Sequence, residues 1–382
     1  MISSVSQYVL SVCHLDTMSL TLRNRDISPI YEDSDSHRPK CLIGNSVIIF
    51  EVLYKGRHTA MRVYMRPNPN LRRIYGDSYF PKELLVQSGA MEYGLADVVL
   101  CDWYDGESLR TKIEEYRSKP AKMMQLSQMF EELALSLLGE RWAHGDIKPE
   151  NIILSKDGLH LIDFDAMYCE GFSADDCVEI GTRNFQHPQR SSHFGKYIDD
   201  YPIALISTVL AAMAIDPTVG RELPALDYLL IRPNLAVEGC DPMLEVIERI
   251  FAEKGDVRHY RIAKLLRSNH PSLPQLKGLL EGLTARDVAP ENLSLEYDNG
   301  YWGFTENGRF VIPPLYDLAF EFSEGLALVM IGDVWHFIDV EGKVVISCGR
   351  GSGVKPFSDG KSRIIREDGE FIIHRNGVME RC

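Results

Sequence analysis

The spacing of apolar residues changes along the chain, and this change limits the folds that the sequence can adopt. Between residues 41 and 101 the apolar residues form short runs separated by turn residues, and 47–64 is typical of two strands joined by a tight turn. From 108 to 141 they recur with the period of a helix, which Pro120 is well placed to begin. The sequence therefore predicts an α+β protein in which a small β-rich region precedes a helical one.

Composition and charge exclude several classes of protein. The chain of 382 residues carries 41 basic and 55 acidic side chains, a formal net charge of −14, and so acidic a surface would repel a phosphate backbone. No stretch reaches the roughly 18 apolar residues that a membrane-spanning helix needs. The eight cysteines include no Cys-x-x-Cys pair, which is typical of reduced packing residues. We therefore expect a cytoplasmic protein that binds neither nucleic acid nor a membrane.

Residues 1–40 are predicted to form an extension before the β-rich region. Within them, 8–15 are apolar enough to resemble a short signal core. No Lys or Arg precedes Arg23, however, and a secretion signal begins with basic residues. We therefore do not expect secretion, and Met18 is an alternative start.

The most informative segment runs from Trp142 to Asp165. It places a carboxylate at Asp146, an amide at Asn151 and a second carboxylate at Asp163, with the cation of Lys148 between the first two. Phosphoryl transfer with Mg²⁺ needs oxygen ligands for the metal, a group that orients the attacking hydroxyl and a cation for the developing charge. The residue types and their spacing indicate this chemistry.

The order and spacing of these residues resemble the catalytic and metal-binding loops of the protein kinase family. The resemblance implies that Asp146 orients or deprotonates the substrate hydroxyl, that Lys148 neutralises the γ-phosphate, and that Asn151 and Asp163 hold Mg²⁺. Residues 181–188 resemble the end of a kinase activation segment.

Two further residues follow from the same resemblance. Thr182, within that segment, is expected to bond the catalytic aspartate and lysine. Asp199 is similar to the aspartate that anchors the catalytic loop from the next helix.

The resemblance also assigns residues to the nucleotide. Residues 102–106 resemble the hinge between two lobes, with Cys101 at the gatekeeper position and the backbone of 102–104 facing adenine. The positions expected to bind ATP are Gly44, Arg62, Glu83, Cys101, Asp102, Trp103 and Tyr104.

The sequence departs from the kinase pattern at several of these positions. Arg62 stands where the family has a lysine, and an arginine is not an equivalent clamp for the α- and β-phosphates. Gly44 is the single glycine of the expected glycine-rich loop. Glu83 is the candidate for the helix glutamate that pairs with the lysine, although it stands so near the hinge that a strand is equally compatible. Asp165 replaces the glycine that follows Asp163 and Phe164.

The C-terminal region repeats itself. Turn dipeptides recur at 307–308, 341–342 and 376–377, at separations of 34 and 35 residues, each flanked by β-type sequence. Trp302-Gly303 and its surroundings resemble the WG repeat family over about residues 295–382, and Trp335 takes the equivalent place in a second copy. Repeated hairpins share a core, so we expect both tryptophans to be packing residues.

These observations predict a two-lobed protein kinase-like fold followed by a small all-β hairpin-repeat domain. The predicted bounds are 1–40 for the extension, 41–285 for the kinase-like domain (N-lobe 41–101, hinge 102–106, C-lobe 107–285) and 295–382 for the WG repeats. The pairing of the two families suggests a bacterial protein.

The expected function is ATP- and Mg²⁺-dependent phosphorylation of Ser or Thr hydroxyls, with the repeats binding a protein substrate or partner. Two alternatives stay open. Arg62 and the glycine-poor loop favour a catalytically weak pseudokinase scaffold, and Gly145-Asp146 also occurs in small-molecule kinases.

Overall fold

The computed structural model of the protein describes residues 4–33, 38–88, 92–222, 229–281 and 292–382. It shows an α+β protein with a curled N-terminal antiparallel sheet, a helical middle and several small antiparallel sheets after it. The chain divides into two compact units, Met1–Glu107 with Ile153–Glu179, and Ser108–Ile152 with Ile180–Cys382. The predicted domain end at 285 lies outside the described residues. Within the described ranges, no helix combines the length and the apolar character that crossing a membrane requires.

The first unit is built on a six-stranded antiparallel sheet. Its strands are β1 (Ile27–Pro29), β2 (Cys41–Ile43), β3 (Val47–Tyr54), β4 (Arg57–Tyr64), β5 (Tyr79–Gln87) and β6 (Tyr93–Asp102), in the order β1-β3-β4-β6-β5 with β2 beside β3. The predicted hairpin is confirmed, since Val47 pairs with Tyr64 and Tyr54 with Arg57. Buried and less buried residues alternate along β3, as expected of a strand with one face on a core.

The N-terminal segment contributes to the core of this unit. Helices α1 (Val5–Cys13) and α2 (Leu15–Met18) precede the sheet. Tyr8 and Val12, four residues apart on one face of α1, are buried in the same cluster as Leu22 and Phe50. Burying each such apolar side chain contributes roughly 1.5–3 kcal/mol. The segment predicted to be an extension therefore helps to hold the sheet.

The first unit also contains a short helix, and most of a small second sheet belongs to it. Helix α3 (Leu71–Tyr75) lies between β4 and β5, and the sheet is formed by β7 (Gly106–Ser108), β8 (Ile152–Ser155) and β9 (Gly158–Leu161). Strands β8 and β9 are joined by a tight turn at Lys156 and Asp157. This hairpin leads into Asp163.

Helices make up the first part of the second unit. They are α4 (Leu109–Tyr116), α5 (Pro120–Gly139), α6 (Asp200–Ile215), α7 (Pro233–Val237), α8 (Pro242–Lys254), α9 (Val257–Leu265) and α10 (Leu276–Glu281). The helical stretch predicted over 108–141 is thus two helices, of which α5 begins at Pro120 as expected. Helix α8 has strong end signals, because Asp241 accepts hydrogen bonds from the N–H groups of Met243 and Leu244 and Gly255 ends it with φ +71°. Helix α6 is buried on nearly every side, which explains its apolar sequence.

Three small antiparallel sheets complete the second unit. They are β10 (Ser294–Asp298), β11 (Tyr301–Glu306) and β12 (Arg309–Tyr316); β13 (Leu318–Ala319), β14 (Ala327–Ile331), β15 (Val334–Ile338) and β16 (Val344–Arg350); and β17 (Lys361–Arg366), β18 (Gly369–His374) and β19 (Met379–Arg381). The β11–β12 turn has positive φ at both Asn307 and Gly308, as the sequence predicts for a tight hairpin. Glu324 and Asp359 also have positive φ, one at the same point of each of two copies.

The repeat region packs on the helices of its own unit. The ring of His336 on β15 is fully buried, and its Nε2 hydrogen-bonds the carbonyl of Ala252 in α8 at 2.7 Å. Arg261 of α9 donates to the carbonyl of Leu315 and stacks on the ring of Tyr301, 3.7 Å from its centroid. The tryptophans Trp302 and Trp335 are half-buried, so the expectation that both pack is met in part.

Candidate functional site

The loop between α5 and β8 carries Asp146, and a buried carboxylate holds this loop. Asp199, which directly precedes α6, accepts hydrogen bonds from the backbone N–H groups of His144 at 2.5 Å and Gly145 at 2.8 Å. Asp199 is buried, so these bonds are shielded from water. The prediction that Asp199 anchors the loop is confirmed.

The carboxylate of Asp146 is fixed by three neighbours within the second unit. Its Oδ1 accepts from the N–H of Thr182 at 2.5 Å, and its Oδ2 accepts from Asn151 Nδ2 at 3.1 Å and contacts Lys148 Nζ at 3.0 Å. The ammonium of Lys148 also donates to Thr182 Oγ1 at 2.8 Å. The threonine therefore contacts both the aspartate and the lysine, as the resemblance implies. A carboxylate held in this way keeps one orientation, which is what positioning a hydroxyl requires.

Gly181 permits the close approach of Thr182 to this loop. Its φ is +82°, and a Cβ at this position would lie 2.4 Å from the carbonyl oxygen of Gly145. Gln186 Nε2 donates to that same carbonyl at 3.1 Å. A side chain at position 181 would therefore force the two segments apart.

The two predicted metal ligands belong to different units, Asn151 to the second and Asp163 to the first. The amide nitrogen of Asn151 donates to the backbone oxygen and to Oδ2 of Asp146, so its Oδ1 is the atom suited to a cation. Asp163 has φ +68°, and its side chain is 39% exposed. Both residues thus offer the oxygen donors that Mg²⁺ prefers, and their joint role stays a prediction.

A buried ionic cluster surrounds Arg62 in the first unit. Arg62 Nη2 donates to Asp163 Oδ1 at 2.7 Å and to Asp165 Oδ2 at 2.6 Å. The hydroxyls of Tyr64 and Tyr75 each donate to Asp165 Oδ1 at 2.7 Å. Burial, and the negative charge of Asp165, raise the pKa of both tyrosines, so they stay donors. Although burial opposes it, these carboxylate and tyrosine neighbours raise the pKa of Arg62, which stays charged.

A cavity of about 910 Å³ opens beside this cluster, within the first unit. It is lined by five of the predicted nucleotide-binding residues: Arg62, Cys101, Asp102, Trp103 and Tyr104. Asp163 and several apolar side chains also line it, including Ile49, Leu100, Ile153 and Met167. Burial raises the pKa of the Cys101 thiol to about 11, so this cysteine is a protonated packing group. The volume lies in the range of small-molecule sites.

Two predicted nucleotide-binding residues are placed elsewhere. Glu83 lies on strand β5, so of the helix and the strand that the sequence left open there, the structure has the strand. Its carboxylate accepts from Thr21 N–H at 2.6 Å, Thr21 Oγ1 at 2.7 Å and Leu22 N–H at 2.7 Å, so the predicted pairing with Arg62 is wrong. Gly44 lies in the turn between β2 and β3, where its N–H donates to the carbonyl of Val47. Neither residue is among the described side chains that line the cavity.

Asp165, Tyr64 and Tyr75 received no role from the sequence. The position of Tyr64, two residues after Arg62, could have indicated it, since alternate residues of a strand share a face. Asp165 was visible only as a departure from the kinase pattern. Tyr75, at the end of α3, carried no signal.

Comparison with known proteins identifies one family. A family described as the WG containing repeat matches residues 305–335, which contain the end of β11, strands β12, β13 and β14, and the start of β15. No curated protein matches the chain. The WG repeat is therefore established for this segment, and nothing in these comparisons identifies a kinase domain.

Proposed function

We propose that the chain is an ATP- and Mg²⁺-dependent phosphotransferase with a two-lobed protein kinase-like domain, acting on Ser or Thr hydroxyls. The observation that carries this proposal is the contact set of Asp146. Phosphoryl transfer needs a group that positions the hydroxyl and a charge that stabilises the transferred group. The oriented carboxylate of Asp146 can supply the first. Lys148, which contacts Asp146 and donates to Thr182, can supply the second.

The cavity of the first unit supports the nucleotide part of the proposal. Its apolar lining suits a purine ring, and Arg62 offers a permanent positive charge to phosphate oxygens. Asp163, half-exposed and lining the same cavity, offers its carboxylate to Mg²⁺. ATP, when bound, supplies the phosphoryl group. The role of these residues is to bind and orient it.

The first test is calorimetric titration of the full chain with ATP, in Mg²⁺ and in EDTA. We expect Mg²⁺ to tighten ATP binding about tenfold or more, because this factor corresponds to the free energy of one to two charge-assisted contacts. Asp163→Asn should remove that gain. Asp157→Asn, the same change at an exposed turn of the same unit, should keep it. If the wild type binds no ATP at millimolar concentration, the proposal is refuted.

The second test measures transfer of radioactive phosphate from ATP to a mixture of Ser- and Thr-containing peptides. Asp146→Asn should lower the rate by roughly 100-fold or more, the usual contribution of a positioned acid–base group. ATP affinity should stay within twofold of the wild type. An equal rate in both proteins would show that Asp146 has no part in the reaction.

A second candidate function is a nucleotide-binding scaffold without transfer activity. The contact between Arg62 and Asp163 favours it, because the guanidinium occupies one oxygen of the predicted metal ligand. The same experiments separate the two functions. ATP binding that is indifferent to Mg²⁺, together with no transfer to any peptide, would support the scaffold.

We further propose that the WG repeats recruit a protein substrate or partner. Large apolar side chains are exposed there, among them Tyr297, Leu318 and Phe320. Phe320→Ser should slow phosphorylation of a protein substrate and leave phosphorylation of short peptides unchanged. Equal slowing of both would place the effect in the catalytic region instead.

A further inference from the structure

The carboxylate of Asp165 is buried and is held by several hydrogen bonds. Its side chain is 6% exposed, and both of its oxygens accept hydrogen bonds. Arg62 Nη2 donates to Oδ2, and the hydroxyls of Tyr64 and Tyr75 donate to Oδ1. A carboxylate that accepts three hydrogen bonds in a buried place is held in one position.

Asp163 differs from Asp165 in exposure and in contacts. Arg62 reaches it through one oxygen, Oδ1, and its side chain is 39% exposed. Asp163 lines the cavity, whereas Asp165 is not among the described side chains that do so. A cation that enters the cavity therefore meets Asp163.

The charges of the cluster do not cancel. One guanidinium, that of Arg62, faces two carboxylates, so the formal sum is one negative charge. The shielded pair is Arg62 with Asp165, because both are buried, and interactions between buried charges are screened less by solvent. The remaining negative charge belongs to Asp163. Without a second carboxylate, the guanidinium would repel a divalent cation from Asp163.

We propose that Asp165 is the positioning residue of Arg62: it compensates the guanidinium, so that the carboxylate of Asp163 is available to bind the divalent cation of a nucleoside triphosphate. This proposal rests on the proposed function for the nucleotide. Glu83, which the sequence suggested as the charged partner of Arg62, accepts hydrogen bonds from Thr21 and Leu22 instead. The cluster thus contains its own counter-charge, two residues from the proposed metal ligand.

The first experiment needs no nucleotide. Urea unfolding of the full chain is measured for Arg62→Gln, Asp165→Asn, Asp163→Asn and the two double variants that contain Arg62→Gln. Double-mutant cycles then give the coupling of Arg62 to each carboxylate. We expect the coupling to Asp165 to exceed the coupling to Asp163. Equal couplings, or a larger one for Asp163, would overturn the proposal.

The second experiment measures the Mg²⁺ gain, which is the ratio of the ATP dissociation constants in EDTA and in Mg²⁺. In Asp165→Asn the guanidinium has only Asp163 as a charged partner, so we expect the gain to fall about tenfold, the value of one charge-assisted contact. In the double variant Arg62→Gln with Asp165→Asn, no guanidinium competes for Asp163, so the gain should return although ATP binds more weakly overall. A purely structural role of Asp165 would not produce this recovery.

A milder variant keeps the test valid if Asp165→Asn folds poorly. Tyr75→Phe removes one of three donors to Asp165 and should lower the Mg²⁺ gain in the same direction by a smaller factor. An unchanged gain in both Asp165→Asn and Tyr75→Phe would refute the proposal. A wild type that binds no ATP would refute the proposed function and the metal part of this inference, while the unfolding cycles would still decide which carboxylate compensates Arg62.

Discussion

Substitution of Glu83 can distinguish two roles for this residue, namely holding the N-terminal segment and binding the nucleotide. Glu83 is 2% exposed, and its carboxylate accepts three hydrogen bonds, two from backbone N–H groups and one from a hydroxyl, all from Thr21 and Leu22. Glu83→Ala leaves the buried N–H of Leu22 without that acceptor, whereas the two donors of Thr21 belong to an exposed residue and can bond water instead. A hydrogen bond to a charged group contributes roughly 1.5–3 kcal/mol, and neighbouring bonds are not additive, so we expect a loss of about 2–4 kcal/mol.

Glu83→Gln should be milder. The amide oxygen can replace Oε1 as acceptor for the two backbone N–H groups, and the amide nitrogen can donate to the hydroxyl of Thr21. The loss is then mainly that of charge assistance, about 1–2 kcal/mol. Urea unfolding of the full chain measures both values. Glu92→Gln, at an exposed position of the same unit, is the matched control and should lie within about 0.5 kcal/mol of the wild type.

ATP titration of the same variants completes the test. Under conditions in which Glu83→Gln is fully folded, its ATP affinity should equal that of the wild type, because Arg62 is paired with Asp163 and Asp165. The reasoning is refuted if Glu83→Ala unfolds as the wild type does while its ATP affinity falls tenfold. That result would show that Glu83 acts on the nucleotide and not on the N-terminal segment.

Three further predictions concern the second unit. Burial raises the pKa of Asp200 to about 6, so its ionisation lowers the free energy of unfolding as pH rises from about 4 through 6. Between pH 4 and 7, the free energy of unfolding of Asp200→Asn should therefore rise by up to about 3 kcal/mol relative to the wild type. A difference that does not change with pH would contradict this prediction. Burial lowers the pKa of His336 to about 4. The contribution of the neutral His336 ring to the free energy of unfolding is therefore complete above pH 6.5 and is lost as pH falls towards 4. His336→Gln, which can still donate to the Ala252 carbonyl, should therefore lose less stability than the wild type in acid unfolding scans, whereas parallel curves would argue against the prediction. Gly181→Ala should lower the phosphoryl transfer rate by about 100-fold without changing ATP affinity, since a shift of about 1 Å in a positioned group has that effect; an unaffected rate would show that the contact with Gly145 can relax.

The features that the sequence predicts well are set by neighbouring residues. The β3–β4 hairpin follows from alternating apolar residues around a two-residue turn, and the start of α5 follows from Pro120. The Asn307-Gly308 turn has the positive φ angles that this dipeptide favours. The Asp146 contacts belong in part to this class, because Lys148 and Asn151 lie within five residues of the carboxylate.

Glu83 shows why other features could not be predicted. The segment 79–87 contains Pro81 and a register shift between Phe80 and Leu84, so neither a strand nor a helix has a regular pattern there. What fixes Glu83 is a pair of residues some 60 positions earlier in the chain. The apolar run of α1 has the same difficulty, because its burial against the sheet depends on contacts that local periodicity does not encode.

The sequence indicates that Arg62 needs a charged partner, but it does not show which residue supplies that partner. A guanidinium buried in this way needs a charged partner, because an uncompensated buried charge costs several kcal/mol. Compared with the kinase pattern that the sequence resembles, Glu83 stands close to the hinge for such a partner, and Asp165 stands at a position where that pattern has a glycine. Both departures from that pattern fit a chain in which Asp165, and not Glu83, supplies the counter-charge of Arg62. The structure has this arrangement: Glu83 binds the N-terminal segment, and Asp165 binds Arg62.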